Sequence, residues 1–581
     1  MKEPLRIGLL LAAVVLAYGN TLVNQFTQDD NLYIVLNPQV TDASARGIFT
    51  ANKISNVFRP VTFATLALNW AVAKAHPFGY HLFNLLIHAA VALLLYFLLQ
   101  ALFSASPLGE SPLGISSGGE ASSLILGPSP QVKSVAFAAA LIFAMHPIHT
   151  EAVSSIVGRA ELLAAGLLFA AWILHLGDQP ILAVLCFVLA LLSKESAVVF
   201  LPLVLVGDYA RGVWKPCLRY ALIAGVTLAY LGILWKAQGG RFGQMGIFAL
   251  DNPLAGLPAP WRILNALRVA WKYVALHFYP AKLSCDYSFN EIRVYRDWRH
   301  TLPAALAALA AVGTWIWALR KRRSGLIVAG GIYLAGFAIT ANILMPTGTI
   351  MGERLAYLPS SGFCLLLALG WNWLQDRHRL VALAALTAVV AAFGMRTIVR
   401  NRDWRDNLSL YSAAVQAAPG SAKMHANLGG EYLAIGRLDL AGPELEAALQ
   451  IQPEYPDALS AYGLLQSRIG NYQAAGGFME RALSMSGRNN PNYDFMAVNF
   501  AALLMQTNHN DGALDLLNRE IVESPRYARA WANRAVLRYK QGETAPARSD
   551  AEAALRLDPD NTQAQNLMRL LNRPAGGASP R

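Results

Sequence analysis

The chain has 581 residues, of which 55% are hydrophobic and only 14% are charged, with a formal net charge of +12. Such an apolar composition is typical of a membrane protein. The basic excess does not indicate nucleic-acid binding, because the net +13 of the first 418 residues lies in short loops between apolar segments. Three of the four cysteines lie in or beside apolar segments and no CxxC pair exists, so the sequence indicates neither a disulfide framework nor a zinc site.

A helix needs about 20 apolar residues to cross the hydrocarbon of a bilayer. The first apolar segment, 5–23, lacks a small-residue cleavage site and precedes an acidic pair, so we interpret it as a retained anchor. Two shorter runs, 181–193 and 196–209, are predicted to form a hairpin. Together with these, nine longer segments predict about 11 crossings: 5–23, 81–103, 134–152, 160–176, 218–236, 301–319, 325–344, 355–374 and 380–397.

Basic clusters predict the sides of the membrane, since they prefer the cytoplasm. The amino terminus and the run Arg320-Lys321-Arg322-Arg323 are then cytoplasmic, as is a flexible linker at 104–132. Residues 24–80 form the first extracytoplasmic loop. Residues 262–280 are apolar but carry several charges, and are predicted to be a re-entrant or interfacial helix. The expected location is the inner (cytoplasmic) membrane, multi-pass, with everything after residue 400 periplasmic.

The carboxyl-terminal part contains a repeat. Prolines at 419, 453, 491, 525 and 559 are spaced by 34, 38, 34 and 34 residues, and small residues recur where paired helices would touch. This resembles the tetratricopeptide repeat in period and pattern. We therefore expect a membrane domain over 1–400, a connector over 401–418, about four repeats with a capping helix over 419–573, and a disordered tail over 574–581.

Several charged or histidine-containing clusters fall at the predicted outer edge of the membrane. Taken singly, each is explained as a solvated loop, a paired charge or a helix-packing histidine. Two histidines and one carboxylate do not by themselves make a catalytic zinc site, which needs three protein ligands. The clusters contain Asp29, Asp30, Arg59, His81, His146, His149, Glu151, Arg159, Lys194, Glu353 and Arg354.

Taken together, these clusters resemble a known family. The stretches that carry the resemblance are 26–30, 58–60, 81–88, His146-Pro147-Ile148-His149-Thr150-Glu151-Ala152-Val153, 158–161, 194–195, 353–359 and 400–404. The arrangement is similar to that of the transmembrane and tetratricopeptide-repeat O-mannosyltransferases and their bacterial relatives, within the GT-C glycosyltransferase superfamily. The resemblance implies an all-α fold, a polytopic GT-C-like helix bundle followed by a repeat solenoid.

The resemblance also implies a reaction, the transfer of mannose or another hexose from a polyprenyl-phosphate donor to Ser or Thr hydroxyls of exported proteins. A hydroxyl needs a carboxylate to accept its proton, and the implied base is Asp30, narrowly preferred, or Asp29. Cations would bind the donor phosphate. We expect Arg354, Arg159 and Lys194 there, with a substrate or supporting role for His149, Glu151, His146, Glu353, Arg59 and His81.

Three questions stay open from the sequence. His149 and Glu151 could hold a divalent cation, Mg²⁺ or Mn²⁺, although no cofactor is required. The same fold could transfer an oligosaccharide from a lipid-diphosphate donor. A non-enzymatic membrane scaffold with a protein-binding repeat domain is the alternative of a different class. The expected partners are the lipid-linked donor, an exported protein or peptide bound by the repeats, and the bilayer, and no nucleic acid.

Overall fold

A computed structural model describes residues 1–42, 45–50, 57–104, 128–240, 249–488 and 490–572. Within these ranges every regular element is a helix and there is no strand, so the predicted all-helical fold is confirmed. Most of the linker predicted at 104–132, and the tail predicted at 574–581, lie outside the described residues. The chain divides into two compact units, Met1–Gly420 and a second unit that begins at Ser421.

The first unit contains seventeen α-helices within the described ranges. They are α1 (Glu3–Tyr18), α2 (Pro38–Thr41), α3 (Ala45–Ile48), α4 (Pro60–Ala73), α5 (Pro77–Phe103), α6 (Pro130–Met145), α7 (Thr150–Ser154), α8 (Arg159–Leu176), α9 (Pro180–Ser193), α10 (Phe200–Arg211), α11 (Cys217–Ala237), α12 (Ala259–Phe278), α13 (Trp298–Arg320), α14 (Ser324–Ala338), α15 (Tyr357–Gln375), α16 (Arg379–Asp403) and α17 (Asn407–Ala417).

Seven helical segments in the described ranges are long and apolar enough to cross a membrane, so the chain is a multi-pass membrane protein. They are Glu3–Val23, Pro77–Phe103, Ile156–Leu176, Cys217–Ala237, Trp298–Arg320, Glu353–Gln375 and Arg379–Asp403. A bent pair, α6 with Pro147–Ser154 at 52°, adds an eighth if it is one span. Three apolar helices, α4, α9 and α14, are shorter, and the count of eleven crossings stays a prediction.

The bundle core is built from α1, α5, α6, α8 and α15, which bury large side chains such as Tyr18, Phe143, Phe169 and Trp172. Helices α14 and α15 pack closely because Gly362 has no side chain: a Cβ on Gly362 would lie 2.4 Å from the Ala329 carbonyl oxygen. The helices break at short polar segments, and the break at 147–154 contacts the one at 353–356. Polar side chains are thereby collected where apolar helices end.

The second unit consists of helix pairs followed by one more helix. Its described helices are α18 (Ala422–Ala434), α19 (Leu438–Ile451), α20 (Pro456–Arg468), α21 (Tyr472–Met485), α22 (Tyr493–Gln506), α23 (Asn510–Glu523), α24 (Ala528–Lys540), α25 (Thr544–Leu557) and α26 (Thr562–Leu571). Glycines permit the close approach within a pair: a Cβ on Gly429 would lie 2.6 Å from Leu445, and one on Gly463 would lie 2.7 Å from Met479. Helix α26 packs on the last pair.

Candidate active site

The acidic pair after the first span has one buried and one accessible member. Asp30 is fully buried, and its carboxylate accepts hydrogen bonds from the backbone amides of Thr27 at 3.1 Å and Val157 at 3.0 Å. Burial raises the pKa of Asp30 to about 7. Asp29 is partly exposed and interacts electrostatically with Arg354. Asp30 therefore ties the loop to the turn before α8, while Asp29 stays accessible and interacts electrostatically with the neighbouring cation.

An ion pair joins Arg354, the neighbouring cation of Asp29, to Glu151. Nη1 of Arg354 lies 2.6 Å from one carboxylate oxygen of Glu151, and its backbone amide donates to the other at 2.8 Å. Glu151 is buried, whereas 30% of the Arg354 side chain is exposed. The other guanidinium nitrogens, Nε and Nη2, hydrogen-bond to no atom of the described residues. Glu151 thus holds Arg354 in place, and the Nε and Nη2 donors of Arg354 stay available to a ligand.

Two further ion pairs interact with this one, and each has one member on the turn between α9 and α10. Arg59 binds Glu195 through two parallel hydrogen bonds, from Nε at 3.0 Å and from Nη2 at 2.6 Å. Lys194 is buried and pairs with the buried Glu161 of α8. Lys194 also interacts electrostatically with Arg59, Glu195, Arg354 and Glu151. The structure therefore brings together clusters that lie far apart in the sequence, at what is predicted to be the outer edge of the membrane.

Arg159 has a different environment from these cations. It is fully buried, and it donates from Nε to the Asn84 side-chain oxygen at 2.8 Å, from Nη1 to the Thr65 carbonyl at 3.1 Å and from Nη2 to the Tyr80 carbonyl at 3.1 Å. Its guanidinium also lies over the Phe83 ring at 4.6 Å. Each nitrogen of the fork has a protein oxygen as its acceptor, so Arg159 joins α4, α5 and α8.

The histidines lie in the core of the bundle. His149 and Ser360 are hydrogen-bonded at 2.7 Å, and the His146 ring makes hydrogen bonds with the Ile148 amide at 3.2 Å and the His277 carbonyl at 3.1 Å. These three imidazoles are buried, as is that of His81 on α5. Of these, His146, His149 and His277 pack with aromatic rings, for example at a centroid distance of 4.7 Å between His149 and Tyr357. These contacts contribute to core packing, and the substrate or supporting role expected for His81, His146 and His149 stays a prediction.

The residues considered for a divalent cation do not fit one. Both oxygens of Glu151 accept hydrogen bonds from Arg354, and His149 has Ser360 as its partner. Among the residues that the structure describes, no group of three His, Cys, Asp or Glu side chains could hold a metal ion. A metal site would also need ligands at bonding distance in a regular geometry. No step below depends on a metal.

Glu353 precedes Arg354 in the short helix at 353–356. It is buried and accepts hydrogen bonds at one oxygen, from the Ser284 amide at 2.7 Å and from the Tyr287 hydroxyl at 2.6 Å. Within the part of the chain that the structure describes, its other oxygen has no partner, and neither have Nε and Nη2 of the buried Arg400, with which Glu353 interacts electrostatically. Buried polar atoms in such a position are commonly bridged by internal water.

Asn401, whose side-chain amide connects the first span to the break at 147–154, was not predicted as a site residue from the sequence. Asn401 of α16 donates to the Ala17 carbonyl at 2.8 Å and to the Asn20 side chain at 2.9 Å, and accepts from the Ser154 hydroxyl at 3.0 Å. It thereby joins the end of the first span to the break that carries Glu151. Tyr33, which interacts electrostatically with Arg354, was missed as well. The available indication for Asn401 was its place in the stretch 400–404, one of those that carry the family resemblance.

Comparisons with known proteins agree with this architecture. The family model described as Tetratricopeptide repeat matches residues 396–456, 428–494 and 498–562. The chain is 28% identical over 465 residues to Protein O-mannosyl-transferase F38B6.6 of Caenorhabditis elegans, covering 77% of this chain and 63% of that protein. It is 25% identical over 621 residues to Protein O-mannosyl-transferase TMTC3 of Mus musculus, covering 96% of this chain and 64% of that protein.

Among solved structures, PilF of Pseudomonas aeruginosa matches with 21% identity and a TM-score of 0.24, covering 26% of this chain and 67% of that chain. The chain spans less than two thirds of the length of the curated relatives named above. The sequence similarity includes the membrane unit as well as the repeats, because it extends over most of this chain. The chain is therefore a relative of the transmembrane and tetratricopeptide-repeat protein O-mannosyl-transferases.

Proposed function

We propose that this chain is a membrane glycosyltransferase that moves one sugar, mannose or another hexose, from a polyprenyl-phosphate donor to Ser or Thr hydroxyls of exported proteins. The observation that carries the proposal is an accessible carboxylate in electrostatic interaction with an anchored cation. Asp29 is partly exposed and interacts electrostatically with Arg354, and the buried Glu151 holds Arg354 in an ion pair. The relatives' name, protein O-mannosyl-transferase, supports the sugar and the protein acceptor.

The chemistry assigns a role to each of the two residues. The acceptor oxygen attacks the anomeric carbon, its proton passes to the Asp29 carboxylate, and the bond from the anomeric carbon to the phosphate oxygen breaks. The bonding electrons leave with the lipid phosphate, whose negative charge is stabilised by the free nitrogens of Arg354. Lys194 and Arg59 add positive potential from their ion pairs. The accessibility of Asp29 supports it as the base in preference to the buried Asp30.

The proposed arrangement in the cell places this site on the extracytoplasmic side of the inner membrane. The amino terminus is then cytoplasmic, and the repeats recognise an exported protein or peptide on the outer side. The basic run at 320–323 supports this orientation. A periplasm-specific reporter fused after Trp404 should be active, and activity of a cytoplasm-specific reporter at the same position would contradict the orientation.

The test of the reaction is Asp29→Asn in membranes supplied with a polyprenyl-phosphate hexose and a Ser/Thr-containing peptide. Asn keeps the shape of the side chain but cannot accept the proton, so transfer should fall about 10²- to 10⁴-fold while donor binding persists. Asp42→Asn is the matched control, because Asp42 is an exposed carboxylate of the same loop. Parental transfer by Asp29→Asn would contradict the role of Asp29 as the base, whereas absence of transfer by the parent protein would favour a scaffold.

A further inference from the structure

A second polar cluster lies at the end of α1 remote from the candidate active site. Arg6 is in the first turn of α1, and the helical rise puts it about 25 Å along the axis from the loop that carries Asp29. The cluster is formed by side chains of three helices, Glu3 and Arg6 on α1, Tyr96 and Gln100 on α5, and Lys133 on α6. It takes no part in the proposed reaction.

The only acidic member of the cluster already has its partners. One oxygen of Glu3 accepts a hydrogen bond from the Tyr96 hydroxyl at 2.8 Å, and the other lies 3.5 Å from Nζ of Lys133. The charges of Glu3 and Lys133 therefore offset each other. Arg6 also interacts with Tyr96, but Tyr96 is neutral at physiological pH. The net charge of the cluster is +1, and it resides on Arg6.

Arg6 is buried, and two of its three guanidinium nitrogens lack hydrogen bonds. Only 6% of the residue is exposed, yet its Nε and Nη1 atoms have no hydrogen-bond partner among the described residues. Gln100 is 7% exposed and interacts with Glu3, but its Nε2 atom has no partner at hydrogen-bond distance in the same part of the chain. Unmet donors of this kind are costly, most of all on a charged group. Three of them in one cluster indicate that a ligand with acceptor oxygens and negative charge completes it.

We infer that the phosphate of an anionic phospholipid binds this cluster at the edge of the bilayer. A guanidinium suits a phosphate because it donates two parallel hydrogen bonds to its oxygens. The cluster lies at the end of a membrane-spanning segment, where lipid head groups are the nearest phosphates. The Gln100 amide adds a neutral donor, and the Glu3 carboxylate does not cancel the attraction because Lys133 neutralises it.

The experiment measures the thermal stability of delipidated, detergent-solubilised protein during titration with phosphatidylglycerol, phosphatidylcholine or inorganic phosphate. We expect saturable stabilisation by phosphatidylglycerol, and at least about tenfold weaker binding in Arg6→Gln. Lys2→Gln is the matched control, because it removes an exposed positive charge from the same end of α1. Lys2→Gln should bind phosphatidylglycerol like the parent.

Several results would overturn the inference. These are parental phosphatidylglycerol binding by Arg6→Gln, equal weakening by Lys2→Gln, equal stabilisation by phosphatidylcholine, and equal stabilisation by inorganic phosphate, which would indicate a soluble anion. If Arg6→Gln does not fold, Gln100→Leu gives the answer, since it removes one donor and no charge. It should weaken phosphatidylglycerol binding severalfold, and parental binding by this variant would contradict the proposed site.

Discussion

Glu151 and Arg354 hold each other through two hydrogen bonds, at 2.6 Å from the guanidinium and at 2.8 Å from the backbone amide of Arg354. The two residues come from separate breaks in the helix bundle, more than 200 positions apart in the chain. A buried carboxylate requires partners, so Glu151 fixes both the backbone and the side chain of Arg354. The cation proposed to face the donor phosphate is therefore rigidly placed before any ligand binds.

The first prediction concerns the guanidinium of Arg354. Arg354→Lys keeps the charge but loses the planar fork, so donor affinity should fall about ten- to a hundredfold, the equivalent of losing a hydrogen bond to a charged group. The measurement is the dissociation constant of a polyprenyl-phosphate sugar in reconstituted membranes. Arg402→Lys, at an exposed arginine of α16, should leave it unchanged. Unchanged affinity with lowered thermal stability in Arg354→Lys would instead indicate a purely structural pair.

The second prediction is a pH dependence of stability due to Asp30. Its pKa in the folded protein is about 7, above the ordinary value of about 4, so the folded state binds the proton more tightly. This contribution to stability is complete below about pH 4 and is lost as the pH rises to about 7. Thermal unfolding in detergent should show the parent losing stability across this window relative to Asp30→Asn, which cannot ionise. Parallel curves for the two proteins would contradict the assignment.

Asp30→Asn should also be less stable than the parent at low pH. Asn offers one acceptor oxygen, whereas the side chain of Asp30 accepts from both Thr27 and Val157. Losing one buried hydrogen bond costs roughly 0.5–1.5 kcal/mol of the free energy of unfolding. Transfer by the folded fraction should exceed that of Asp29→Asn, because the proposed base is still present. If Asp30→Asn were as stable as the parent but lost transfer as completely as Asp29→Asn, that result would favour Asp30 as the base.

The third prediction separates Arg159 from the donor site. Arg159→Met removes three hydrogen bonds made by a charged group, two of them buried and one partly buried, so the protein should be destabilised by about 3 kcal/mol or more. The protein that folds should bind the donor with parental affinity. Thermal unfolding and donor binding measured on the same preparation test both parts. Normal stability of Arg159→Met combined with weak donor binding would indicate that Arg159 binds the donor phosphate.

The fourth prediction concerns the repeats. Removing residues 421–581 deletes a separate compact unit, so the membrane unit should still fold and bind the donor. Glycosylation of protein acceptors should decrease, because the proposed peptide-binding surface is absent. A short soluble Ser/Thr peptide at high concentration serves as the control acceptor and should be less affected. Unaltered glycosylation of full-length acceptors would show that the repeats serve another purpose.

Composition and periodicity by themselves predicted long apolar membrane helices and the repeats, whereas the helical class of the whole chain was implied by the family resemblance. Apolar runs of about 20 residues require a bilayer, and a 34-residue spacing of prolines and small residues requires stacked helix pairs, so both are local properties of the chain. The resemblance also named the clusters that contain Glu151, Lys194 and Arg354. None of these predictions depends on which segments of the chain contact each other.

Only the tertiary structure decided which charged residues are available. Asp29 and Asp30 are adjacent and chemically identical, yet burial against Val157 separates their roles. Arg159 and Arg354 are both arginines at helix breaks, but the acceptors that use every nitrogen of Arg159 come from α4 and α5. Whether a charge is satisfied depends on atoms distant in the sequence, because burial and hydrogen bonding arise from packing between helices and not from the order of residues within one.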